Sequence, residues 1–159
     1  MIKISTVLHP TDFSEVARHA LPYAVEFARV YSAKLVLIHV LDLPFSAISM
    51  ADEAMKEAEQ KLNSLVPQKI QEQIDLVELV VRGTPCEEIT AAAKEYGADI
   101  IVMATHGAGG WRHALMGDVA EKVVRNAPCP VLTIRHPEHE FLVPDEAGSE
   151  SLDQGESAS

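Results

Sequence analysis

Aromatic residues are scarce, with one Trp, three Tyr and four Phe in 159 residues. So little aromatic surface leaves the core to Val, Ile, Leu and Ala, in keeping with a 47% hydrophobic content and a globular chain. Cysteine is nearly absent: Cys86 and Cys129 match neither a zinc spacing nor a redox pair, so two buried thiols and no disulfide are expected. No apolar run approaches the roughly 20 residues that a membrane-spanning helix needs. The start, "MIKISTVLHPTD", also lacks the charged, apolar and small-residue order of a signal peptide. A cytoplasmic protein with no membrane partner is expected. Contiguous basic stretches are missing as well. The net charge is −11, but residues 136–159 hold seven acidic residues and no Lys or Arg, leaving 17 acidic against 13 basic residues elsewhere. Nothing there neutralises several phosphates of a duplex, so nucleic acid is a poor candidate partner and none is expected.

What the chain does have is alternation. Short β-branched runs at 4–10, 34–42, 75–83, 99–105 and 130–135 alternate with segments of helical period at 14–32, 49–73, 85–97 and 117–127. This predicts an α/β three-layer sandwich, Rossmann-like, with a five-stranded parallel sheet and four helices. Near-continuous apolar strands such as "IIVMA" imply cover on both faces, and right-handed crossovers give the order 3-2-1-4-5. One domain over 1–137 is expected, followed by an acidic tail over 138–159 that is partly disordered, from about residue 144 onward.

A sheet of that order opens its ligand crevice at the carboxyl ends of strands 1 and 4. The rule selects residues 10–14, "PTDFS", and 103–110, "MATHGAGG". Four of the eight glycines, Gly107, Gly109, Gly110 and Gly117, fall within eleven residues leading into the last helix. Glycine there allows unusual dihedrals and leaves a helix N-terminus bare for an anion. Tight turning alone also accounts for such a loop, which matches neither the Rossmann fingerprint nor the Lys-bearing P-loop. Thr11 or Asp12 is placed to cap the first long helix, and Asp118 with Glu121 reads as a capping box. His106, His113, His136 and His139 fit no zinc spacing. Trp111 reads as an anchor for its loop, and the charged segment 50–61 as a solvated helix face.

The stretches "HPTDFSE", "LIHVLD", "VVRGTPCEEI", "DIIVMATHG" and "GDVAEKVVRNAPCPVLTIR" resemble, in this order, the universal stress protein family over residues 1–135. The resemblance implies the same sheet, a homodimer paired through the last strand (Val131, Leu132, Thr133, Ile134), and bound ATP or AMP in the nucleotide-binding members. Their adenine side matches Pro10, Thr11, Asp12 and Val40. Their phosphate side matches backbone at Met103, Ala104, His106, Gly107, Gly117, Asp118 and Val119. Pro128 and Pro130 independently suit an edge strand, which a two-fold partner would cover.

Two positions depart from the family's pattern of glycines followed by Ser or Thr. Ala104 stands where the first glycine is found, which is tolerable if the local φ is negative. Asp118 stands where a hydroxyl would donate to phosphate, and an ionised carboxylate only accepts. Like charges ~4 Å apart repel by ~4 kcal/mol at an effective dielectric near 20, against about −8 kcal/mol for a micromolar ligand. A magnesium ion shared by Asp118 and the phosphates reverses that sign, and Arg112 and His113 add positive charge from the loop.

The sequence thus reads as a nucleotide-binding regulatory module of the stress response. A dimeric interaction scaffold without nucleotide and a slow ATP hydrolase, with His106 as the available base, stand as alternatives. A phosphoacceptor receiver domain is excluded, because "VVRGTP" lacks the carboxylate after strand 3 and "TIRHP" the lysine after strand 5.

Overall fold

The structure is a computed structural model that describes residues 1–106, 116–135 and 142. Five strands, β1 (Thr6–Pro10), β2 (Lys34–Leu41), β3 (Asp75–Arg82), β4 (Ile100–Ala104) and β5 (Val131–Ile134), form one parallel sheet. Its order is β3-β2-β1-β4-β5, as the alternation predicts. β1 lies at the centre, and all five of its residues are buried. Side chains alternate across the sheet. Val7, Leu35 and Leu37 pack on the face covered by α1 (Glu15–Tyr31) and α2 (Ala51–Asn63). Leu8, Val36, Ile38 and Ile101 pack on the face covered by α4 (Pro85–Glu95) and α5 (Asp118–Asn126). Among the described residues no helix is long and apolar enough to cross a membrane. Both cysteines are free; Cys86 is buried, and burial pushes the half-buried Cys129 thiol up, away from its reactive thiolate form.

The single helix expected over 49–73 is instead three pieces. A 3-10 helix at Phe45–Met50 leads into α2, the chain breaks at Pro67, and one turn, α3 (Gln68–Gln71), follows. Proline has no N–H to continue a helix, so it sits in the N-cap position of α3 with extended dihedrals. The Gln71 side-chain amide donates to Val66 O at 2.7 Å and to Asn63 O at 3.3 Å, occupying carbonyls left over at the break. Among the described residues the helix count is therefore five, plus the 3-10 turn, rather than four.

The centre of the sheet is held and then released. At its start, the Asp99 carboxylate accepts the amides of Ser5 at 2.7 Å and Thr6 at 3.0 Å, while Asp99 N donates to Thr6 O. The β1–β4 pairing then runs only through Val7–Ile100 and Leu8–Ile101. Beyond it, the His9 ring donates from Nδ1 to Val102 O at 2.8 Å, so a side chain replaces the next rung. His9 is fully buried, and its Nε2 has no hydrogen-bond partner.

Burial lowers the His9 pKa from 6.5 to about 4, outweighing the Val102 bond and the Asp12 carboxylate, which act in the opposite direction. Between those values the unfolded chain binds a proton that the folded chain refuses, so stability falls with pH. The gap corresponds to roughly 3 kcal/mol, with full stability above about pH 6.5 and the loss complete near pH 4. Urea midpoints of the wild type are expected to drop between pH 6.5 and 5, where few carboxylates titrate, and those of His9→Leu to stay nearly level. Parallel slopes for the two proteins would remove His9 as the cause.

Candidate functional site

The β1–β4 ladder ends at Leu8–Ile101, and the carboxyl ends of these strands lie at the point where the strand order reverses. On one side β1 runs into the turn 11–14. Thr11 is buried and gripped twice by β2: its N–H donates to Ile38 O at 2.9 Å, and its carbonyl accepts from His39 Nδ1 at 2.8 Å. The turn is then built from its own side chains. Thr11 Oγ1 accepts the Phe13 amide at 3.1 Å and Asp12 Oδ1 accepts the Ser14 amide at 2.9 Å. These short polar groups support the turn one step before the helix, so neither caps α1 as expected. Ser14 is the N-cap, its Oγ accepting Ala17 N at 3.3 Å. Asp12 is exposed, Pro10 is buried, and Val40, on the α4 face of β2, is half-buried.

On the other side, Met103 and Ala104 end β4, paired with Thr133 and Ile134 of β5. The described non-glycine residues with positive φ are Phe13 and Ser32, so Ala104 has the ordinary strand dihedrals that tolerate its methyl group. Thr105 is buried, with Oγ1 hydrogen-bonded to His106 Nδ1 at 2.9 Å. Gly117 N donates to Thr105 O at 2.6 Å, which ties the entrance of α5 directly to the end of β4.

The same bond sets where α5 begins. Gly117 is the N-cap, with φ −70° and ψ 158°, and among the described residues no side chain caps the helix. The capping box is therefore one residue out of register. Asp118 already has a helical position, and Glu121 bonds Arg125 at 2.9 Å instead of reaching back. The Asp118 carboxylate lies along the helix, accepting from Lys122 Nζ at 2.9 Å, with side-chain exposures of 78% and 57%. That hydrogen bond and charge hold the Lys122 ammonium above its ordinary pKa. First-turn amides have no partners within a helix, and the positive end of α5 lies beside Thr105, whose carbonyl accepts from Gly117 N. Val119 is half-buried and packs on the α4–α5 core.

Of the residues selected from the sequence, Pro10, Thr11, Asp12, Met103, Ala104 and His106 thus fall at the carboxyl ends of β1 and β4, and Gly117, Asp118 and Val119 at the entrance of α5. Val40 lies on the neighbouring strand. Gly107, together with Trp111, Arg112 and His113, lies outside the described residues, as do His136, His139 and all of the tail 138–159 except Leu142, which packs on the α1-side core. Sequence reasoning missed His39. Its signal was a polar residue inside the apolar run of β2, level with the crevice. A cleft of about 380 Å³, lined by residues that include Leu41, Asp42, Arg82 and Gly83, also went unanticipated. It lies between the ends of β2 and β3 and contains none of the selected residues. Gly83, with φ +147° and its amide on Leu41 O, makes the turn there.

Residues 3–135 match the family model described as the universal stress protein family. Universal stress protein MJ0531 of Methanocaldococcus jannaschii is 33% identical over 142 residues, covering 84% of each chain. The solved structure of MJ0577 superposes with a TM-score of 0.74 at 28% identity, over 87% of this chain and 100% of that one. A universal stress protein crystallised in complex with cAMP has the same fold, with a TM-score of 0.65 at 22% identity, over 84% of this chain and 98% of that one. With the five-stranded order and the matched span in agreement, the chain belongs to the universal stress protein family.

Proposed function

We propose that the chain binds an adenine nucleotide, ATP or AMP, in the crevice between β1 and β4, and acts in the cytoplasm as a nucleotide-responsive module of the stress response. One observation carries this reading. The Gly117–Thr105 bond sets an uncapped helix entrance against the end of β4, and the Asp118 carboxylate turns to Lys122 instead of occupying the first-turn amides. Amides so placed donate to phosphate oxygens, while Pro10, Thr11, Asp12 and Val40 supply the adenine side. The cAMP complex of a protein with the same fold supports this choice of ligand class.

Magnesium fits only as a shared ion. Among the described residues no group of three or more His, Cys, Asp or Glu is arranged to hold a metal. A single exposed carboxylate, Asp118, suits a cation whose remaining ligands are phosphate oxygens and water. When bound, the ion supplies positive charge between carboxylate and phosphate. ATP affinity measured by calorimetry is expected to weaken by about 10-fold or more on chelation of magnesium, and Asp118→Ser to narrow that gap. Equal affinities in all four titrations would overturn the shared-ion reading.

The chain also pairs with a second copy through β5 in this proposal. β5 ends the sheet, and its four residues are all half-buried. Pro130 O and Ile134 O accept from Ile101 and Thr105, so alternation turns the main-chain groups of Val131 and Thr133 to the open side. Light scattering is expected to give about twice 17.3 kDa for the wild type. Thr133→Pro, which removes an outward donor but leaves the β4 bonds intact, is expected to give the monomer mass with unchanged circular dichroism. A dimeric Thr133→Pro would exclude this edge.

A further inference from the structure

We infer that His39 is a positioning residue for the crevice: from β2 it fixes the conformation of the turn 11–14, which carries the adenine side of the proposed site. The inference rests on the nucleotide reading above, but its geometry is independent of any ligand.

Three contacts converge on this turn. A carbonyl only accepts, so the bond of 2.8 Å to Thr11 O puts the His39 proton on Nδ1. The same ring packs on Phe13, with centroids 4.4 Å apart and planes at 34°. Lys61 of α2 places its ammonium 5.9 Å from the Phe13 ring centroid. Phe13 needs such support, because its φ is +63°, a region that bulky residues enter only when their surroundings over-determine it. His39 therefore grips the turn at two successive points, the carbonyl of residue 11 and the ring of residue 13, and Asp12 lies between them. With Thr11 N already on Ile38 O, β2 rather than α1 dictates how Asp12 and its peptide face the crevice.

Asparagine and leucine separate hydrogen bonding from bulk. The asparagine of His39→Asn would place an amide donor near the position of Nδ1, whereas the leucine of His39→Leu would fill space without donating. Calorimetric titration with MgATP is expected to show His39→Leu weakened by about 10-fold, the ratio that corresponds to one lost hydrogen bond, and His39→Asn retaining most of the affinity. Thermal midpoints taken alongside separate this from general loosening, since a merely structural role would lower both variants together with their affinity. Wild-type affinity in His39→Leu, or equal losses in the two variants, overturns the inference.

Failure of the wild type to bind MgATP or AMP would instead overturn the nucleotide reading. The positioning role then rests on hydrogen exchange at the Phe13 and Ser14 amides, which the turn's own side chains hold. Faster exchange in His39→Leu than in His39→Asn supports it, and identical exchange in the two overturns it.

Discussion

The structure depends on a ladder that ends early. β1 and β4 pair through two registers and then part, with the imidazole of His9 taking the carbonyl that the next rung would have used. A buried main-chain carbonyl without a donor would be costly, so the opening requires a substitute donor. His9 supplies it from within the core, at the expense of an imidazole that has to stay neutral there.

Around that opening, each wall is held from behind by a different element. The β1 turn is tied to β2 by Ile38 and His39, and the β4 end is tied to β5 by Ile134 and to α5 by Gly117. β1, β2 and β4 are largely buried and paired, so they carry the rigidity, while the proposed site draws on short turns and one helix entrance. Charge follows the same division. The acidic residues of α5 are met by cations one helical turn onward, Asp118 by Lys122 and Glu121 by Arg125. As exposed i,i+4 pairs they add little to stability, but they direct both carboxylates along the helix.

Strand positions and sheet order were legible in the sequence because near-continuous apolar runs such as "KLVLIHVLD" and "DIIVMAT" have to be buried on two faces, and chirality restricts how they connect. Ala104 was legible for the same reason, since a methyl group in a continuing strand demands nothing unusual. The starts of α1, α4 and α5 were legible as well, at 14, 85 and 117, but which residues cap α1 and α5 was not. Ser14 rather than Asp12, and Gly117 rather than Asp118, serve as caps because nearby hydrogen bonds, Asp12 to Ser14 and Gly117 to Thr105, settle the register locally. Pro67 was visible, yet helical periodicity runs on past it and concealed the break. His39 stood out as a polar residue in an apolar strand, but nothing in the run tells which neighbouring turn its side chain reaches.

The site proposed here relies mostly on peptide groups, at Met103, Ala104, Thr105 and Gly117, rather than on specific functional side chains. A frame of that kind is inherited with the fold. Substitutions at 104 or 118 can accumulate without disturbing the hydrogen bonds that shape it, so the capacity to fold and the chemistry offered at the opening evolve as largely separate traits.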